Sequence, residues 1–205
     1  MGDSERLAHI PTRRKSGKEQ FHRSGQDEGF DLLSFWQWTG SHLLSNVSRG
    51  NFAEYIVASA LGVADGVRAT WDAFDLTTRS DIKVEVKSSA YVQMWEQVRL
   101  YRPTFEIRLS HGWDGDAQGR TTVRQRHADV YVFCLLHHKD RDTIDPLDLD
   151  QWTFYVLRTS VLNEQCGDNK TISLGRLQKL GARRVPYDRL AHAIEAEGVL
   201  SRATY

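Results

Sequence analysis

From Asp31 to Val47 the chain reads DLLSFWQWTGSHLLSNV, with apolar residues at 32, 33, 36, 43, 44 and 47. Steps of three and four predict a helix there, despite Gly40. A break follows at Ser48-Arg49-Gly50. NFAEYIVASALG then predicts a second helix, capped by Asn51 and ended by Gly62. VRATW (67–71) and the residues around Phe74 read as two short strands. IKVEVK (82–87) alternates strictly, with Ile82, Val84 and Val86 on one face and Lys83, Glu85 and Lys87 on the other. YVQMWEQVRL (91–100) is ambiguous, a short helix being its closest match. TFEIRL (104–109), DVYVFCLL (129–136) and TFYVL (153–157) read as strands. DVYVFCLL is nearly apolar throughout, as expected of a central strand buried on both faces. The span from Val185 to Ala196 predicts a C-terminal helix, with Pro186 in its first turn and Gly198 just beyond its end. Helices, strands and a closing helix in this order predict a mixed α/β layered domain.

Composition changes the picture at the N-terminus. Residues 1–28 are polar and locally basic (PTRRKSGKEQFHRS), with too little apolar surface to order themselves. They are expected to form a flexible arm, and 29–205 a single domain. No apolar run approaches the roughly 20 residues that cross a bilayer, and the first residues lack the apolar segment of a signal peptide. Cys134 and Cys166 are too few for a disulfide framework or a four-thiolate zinc site, so a cytoplasmic setting is expected. Net charge is zero, which argues against a strongly basic nucleic-acid coat but leaves room for a local basic surface. Arg99, Arg102, Arg108, Arg120, Arg124 and Arg126 are the candidates for one. The aspartates between 140 and 150 lack calcium-loop spacing and read as a solvated loop.

The chemistry concentrates on IKVEVK. Residues i and i+2 of a strand share a face roughly 6–7 Å apart, so Glu85 and Lys87 are neighbours. If 72–87 form a bent hairpin, Asp75 lies beside Glu85. Two close carboxylates repel unless a cation sits between them, and with oxygen-only ligands Mg²⁺ or Mn²⁺ is the natural choice. The Val86 carbonyl can supply another oxygen. Lys87 would face a bound phosphate, to stabilise charge on phosphorus or to orient and help deprotonate the attacking water. The plain alternative is a strand with one wet face, since Glu-x-Lys triplets arise often by chance. Glu54 is a third carboxylate within reach, with a capping box on Asn51 as its competing explanation. Ser88, Ser89, Tyr91 and Gln93 follow Lys87 and suit contact with a nucleic-acid backbone or base, whereas Trp95 reads as packing.

Glu54 on a leading helix, Phe74-Asp75, Glu85-Val86-Lys87 and Gln93 resemble the PD-(D/E)XK nuclease superfamily over about residues 50–136. The resemblance implies a restriction-endonuclease-like fold, a central mixed sheet flanked by helices. It implies divalent metal held by Asp75 and Glu85, Lys87 assisting the hydrolytic water, and Glu54 and Gln93 as additional participants. Phe74 replaces the family's proline, and the helix expected after the motif strand is poorly marked at 91–100. Asp72 and Asp81 compete for the aspartate's role, Asp81 being too near Glu85 in sequence to face it across a hairpin. The function implied is Mg²⁺-dependent hydrolysis of phosphodiesters, with DNA as the expected nucleic acid and a homodimer as an allowed state. The rival is a module that keeps the fold and binds nucleic acid or a protein without cleaving. His137-His138 is a poor chelate, since adjacent strand residues point opposite ways.

Overall fold

The structure, a computed structural model, describes residues 10–68, 72–114 and 119–202. It divides into two compact units, Met1–Ser41 with Asp65–Arg68, and His42–Ala64 with Ala69–Tyr205.

In the first unit, β1 (Gln20–Arg23) and β2 (Gln26–Asp31) pair antiparallel, and α1 (Leu32–Gly40) follows. Part of the stretch expected to be an arm is therefore a hairpin. Its turn places Ser24 and Gly25 at positive φ, and Phe21 stacks on Phe30 at 4.7 Å. Polar composition hid it, because this short, exposed ladder is joined by backbone hydrogen bonds and a single aromatic pair rather than by a core. Asp31 caps α1 by accepting from the Ser34 N–H at 2.9 Å.

The second unit begins with α2 (Asn46–Leu61). The expected break at 48–50 is absent. Ser45, not Asn51, is the N-cap, accepting from the Ser48 N–H at 3.1 Å. Gly62 ends the helix in the left-handed region, as expected, at φ 66°. There follow β3 (Leu76–Thr77), β4 (Lys83–Ala90), β5 (Thr104–Glu106), β6 (Ser110–Asp114), β7 (Gly119–Gln125), β8 (Val130–Leu136) and β9 (Trp152–Arg158). The chain then forms α3 (Thr159–Cys166), β10 (Thr171–Ser173), α4 (Leu174–Lys179), β11 (Arg183–Val185) and α5 (Tyr187–Arg202). No helix occupies 91–100, which is irregular. Of VRATW, residues 69–71 lie outside the described residues and Val67 and Arg68 are not in a strand.

The central sheet has the order β11-β9-β8-β4-β3. It is mixed: β4 and β8 are parallel, and the other neighbours antiparallel. Every residue of β8 is buried, because alternate side chains enter two cores. Val130, Val132, Cys134 and Leu136 pack with α2, α5 and Val84, Val86 and Ala90 of β4. Tyr131, Phe133 and Leu135 pack on the other side with Phe105, Ile107, Leu162 and Leu177. This is a mixed α/β fold with a central mixed sheet flanked by helices, consistent with a restriction-endonuclease-like architecture. α5 runs past Gly198, which was expected to terminate it. A Cβ there would meet Ile82 Cγ atoms at 2.7 Å, so the glycine serves close helix–strand approach. Among the described residues no helix is long and apolar enough to cross a membrane.

Candidate active site

The β3–β4 ladder is short, and its end builds the site. The Asp75 N–H donates to the Val84 carbonyl at 3.1 Å. Residues 72–75 are bends and not strand. The next donor of β4, the Val86 N–H, is then left without a backbone partner, and Asp75 Oδ2 accepts from it at 2.7 Å. The carboxylate thus replaces one rung of the ladder, which fixes Asp75 at the edge of β4. A residue's N–H and C=O point to the same side of its strand, so the Val86 carbonyl faces this edge as well. Phe74 fills the second core beside it, with Lys83 Nζ 5.3 Å from its ring centre.

Glu85 and Lys87 project from β4 on one face, as the alternation requires. Lys87 Nζ donates to Glu85 Oε1 at 2.5 Å, and both side chains are largely buried, 27% and 17% exposed. Burial alone would push the Lys87 ammonium down. The charge and hydrogen bond of Glu85, with Asp75 and Glu106 adding, outweigh it and hold the group above the ordinary lysine value. Asp75 is raised from 3.8 to about 7, first by burial, then by the Glu85 charge, with Glu54 adding; the Val86 N–H and Lys87 oppose the shift.

Two buried groups feel the same charges. Tyr131, which faces the second core, is raised by burial and then by the charge of Glu85, with Asp75 contributing. Cys134, which faces the first, is raised by burial and then by Asp75 and Glu54. Glu85 lies on the face of β4 opposite Val84 and Val86, whereas α2, which carries Glu54, packs on the Val84 and Val86 face; Asp75 sits at the edge between them. The capping explanation for Glu54 falls away, since α2 starts five residues before Asn51 and Glu54 lies in the helix body. Among the described residues no group of three or more His, Cys, Asp and Glu side chains forms a metal cage. What the edge offers is the Asp75 carboxylate and the Val86 carbonyl, with Glu85 projecting from the adjacent position of β4. That hard-oxygen set fits a cation such as Mg²⁺, which takes few protein carboxylates and keeps its waters.

Other expected residues lie elsewhere. Gln93 is buried, and its side-chain amide donates to the Ala90 carbonyl at 2.7 Å. It lines a cavity of about 240 Å³ beyond the far end of β4, together with Ser88 and Ser89. Trp95, expected to pack, is 49% exposed. Asp81 sits on the β3–β4 turn at φ 66° and pairs with Arg202 at 3.7 Å; Asp72 is exposed. The arginine-rich stretch is not uniformly a surface. Arg126 is buried and donates to the Ile107 and Gly167 carbonyls and to Asn163 Oδ1, and Arg108 pairs with Glu106.

Arg49 was missed, having been read as part of a break. It is 5% exposed and lines the same cavity as Gln93. The signal was present: Arg49, Ala53, Ile56 and Val57 keep helical spacing, and extending that register backwards reaches Ser45 as the cap.

A family model described as Bacteriophage T4 endonuclease IV matches residues 11–176, more than half of the 205-residue chain. The match spans α2, the β3–β4 hairpin and the cavity. No curated protein matches the chain.

Proposed function

The chain belongs to the bacteriophage T4 endonuclease IV family, and from that premise we propose that it is a nuclease of the PD-(D/E)XK type, hydrolysing phosphodiester bonds in DNA with Mg²⁺ or Mn²⁺. The observation that carries the reading is the edge of β4, where Asp75 is wedged against the Val86 N–H and within the fields of Glu85 and Glu54. Like charges gathered in a half-buried site destabilise one another, and a divalent cation relieves them. Asp75, Glu85 and the Val86 carbonyl would hold it, with Glu54 as a further carboxylate nearby. When bound, such a cation supplies Lewis-acid polarisation of a phosphoryl oxygen and a lowered pKa of water.

The protein's own groups do the rest. Asp75 is oriented by the Val86 N–H, so its second oxygen is free to turn to the site. Lys87 is held as an ammonium by Glu85, a charge and donor suited to the non-bridging oxygens of the phosphate as negative charge accumulates there. The flanking β4 main chain is locked between β3 and β8, so neither group needs to reorganise as the barrier is crossed.

Calorimetry and single-turnover cleavage of DNA test the proposal together. Mg²⁺ is expected to bind the wild type, raise its melting temperature by mass action and support cleavage. Asp75→Ala and Glu85→Ala are expected to lose both. Equal metal binding by the wild type and Glu85→Ala removes Glu85 from the site. Binding of DNA by a wild type that cuts no DNA with either metal assigns the chain to the non-cleaving module.

A further inference from the structure

We propose that the cavity beyond the Ser89 end of β4 is an anion site, and that it takes a phosphate group of the nucleic-acid strand next to the one held at Asp75 and Glu85. The inference rests on the nuclease reading for the identity of the strand, but the anion site itself does not.

Arg49 is the reason. A guanidinium has five N–H donors. Nη1 donates to the Leu44 carbonyl at 3.3 Å and Nη2 to Asn46 Oδ1 at 2.8 Å. Nε is buried with no hydrogen-bond partner among the described residues. No carboxylate pairs with Arg49 among the described residues, although the side chain is 5% exposed. Burial pushes its guanidinium below the ordinary arginine value, with Tyr101 opposing. A buried cation without a counter-ion destabilises a fold, and a buried donor without an acceptor does so again. An anion in the cavity that Arg49 lines supplies the missing counter-charge.

The surroundings point the same way. Asn46, Ser88, Ser89, Gln93 and Tyr101 line the cavity with Arg49, and among the described residues no acidic one does. Asn46 and Arg49 lie in the opening turns of α2, a helix of 16 residues, where unpaired N–H groups and the helix dipole favour negative charge. Ser88 directly follows Lys87. It lies two residues along β4 from the Val86 rung that Asp75 occupies, roughly 6–7 Å, a separation of the same order as one or two nucleotide rises of roughly 3.4 Å. A strand with one phosphate at the acidic edge of β4 thus has its neighbour within reach of Arg49.

The test uses the full chain without metal, where cleavage cannot contribute. Inorganic phosphate, compared with chloride at equal ionic strength, is expected to raise the melting temperature of the wild type. Arg49→Met should abolish that rise, and Arg49→Lys, which keeps the charge but not the planar fork, should retain part of it. Ser88→Ala tests the cavity without touching the arginine and is expected to weaken the response. Affinity for short DNA should fall about ten- to a hundredfold in Arg49→Met, the range of one charged hydrogen-bonding contact. A phosphate response that is absent from the wild type, or unchanged in all three variants, overturns the site. A response that depends on Arg49 while DNA affinity does not overturns its assignment to a nucleic-acid strand. Cleavage that fails while both phosphate response and DNA affinity depend on Arg49 refutes the nuclease reading and leaves the anion site standing.

Discussion

At the Glu85 end of β4 an aspartate sits among other carboxylates, while at the Ser89 end an arginine sits without any. The two regions share one strand and one covering helix, and α2 contributes to both: Arg49 to the cavity and Glu54 to the field at Asp75. Each is an electrostatic imbalance that packing alone does not require. A stretch evolved only for stability would pair Arg49 with an acid or replace it by an apolar residue, since such replacements are often neutral or stabilising. The difference in sign teaches what each end receives. Crowded carboxylates call for a cation, and an unopposed guanidinium calls for an anion. A metal-assisted phosphodiester reaction presents both along one strand.

The largest effect expected is on rate, and it separates the two ends. Lys87→Ala should lower single-turnover cleavage by about 10²–10³, the range for one transition-state contact, while metal affinity is largely retained. The motive is that Lys87 carries the opposite charge from the proposed carboxylate ligands and shares a strand face with one of them, Glu85. Arg49→Met should weaken DNA affinity instead, with a smaller loss in the rate at saturating DNA. Rapid-quench measurements over a DNA concentration series read both quantities. Loss of rate in Arg49→Met and loss of affinity in Lys87→Ala would reverse the assignment of the ends.

A smaller effect concerns pH and the metal-free protein. Asp75 is raised to about 7 by burial, by Glu85 on β4 and by Glu54 on α2, against the Val86 N–H and Lys87. The folded state therefore holds a proton that the unfolded chain, with its carboxylate near 3.8, has released. Between pH 4 and 7 fewer protons are bound when unfolded, so stability falls as pH rises through this window. It changes little above it from this cause. Asp75→Asn removes the titrating group and should flatten the slope, and the variant should be the more stable at pH 8. Chemical denaturation at a series of pH values in chelator measures it. An identical slope in both proteins would mean that Asp75 is not the crowded carboxylate.

Alternation made the strand legible. Ile82, Val84 and Val86 against Lys83, Glu85 and Lys87 predict both the strand and its faces, and β8 announced its central place by lacking alternation. Asp75 was reachable too, because Phe74 and Leu76 are apolar neighbours of a lone acid. Arg49 and the start of α2 were not read, since Ser48-Arg49-Gly50 resembles a break. The helical spacing of Arg49, Ala53, Ile56 and Val57 runs through that apparent break, back to Ser45 as the cap. Gly198 misled for a related reason: a glycine near a helix end usually terminates it, but here Ile82 needs its missing side chain. The β6–β7 hairpin, β10 and β11 left no distinct period in sequence: all are short, and β10 and β11 find their partners, β5 and β9, in distant segments.

The smallest expected effect sharpens the comparison by asking which arginines meet phosphate at all. Each phosphate neutralised contributes about 0.9 to the slope of log affinity against log salt on duplex DNA and about 0.7 on single strands. Arg49→Met should reduce that slope by about one contact, which amounts to roughly a threefold change between 50 and 200 mM salt. Arg126 lies in the arginine-rich stretch and would be the first choice from charge alone. Its donors, however, are engaged by the Ile107 and Gly167 carbonyls and by Asn163. Arg126→Ala should therefore leave the slope unchanged while lowering the melting temperature, because buried acceptors lose their donors. Binding titrations over a salt series, with thermal unfolding of the same preparations, separate the outcomes. A reduced slope in Arg126→Ala and an unchanged one in Arg49→Met would place phosphate on the arginine-rich stretch and leave the cavity at the end of β4 without a role in binding.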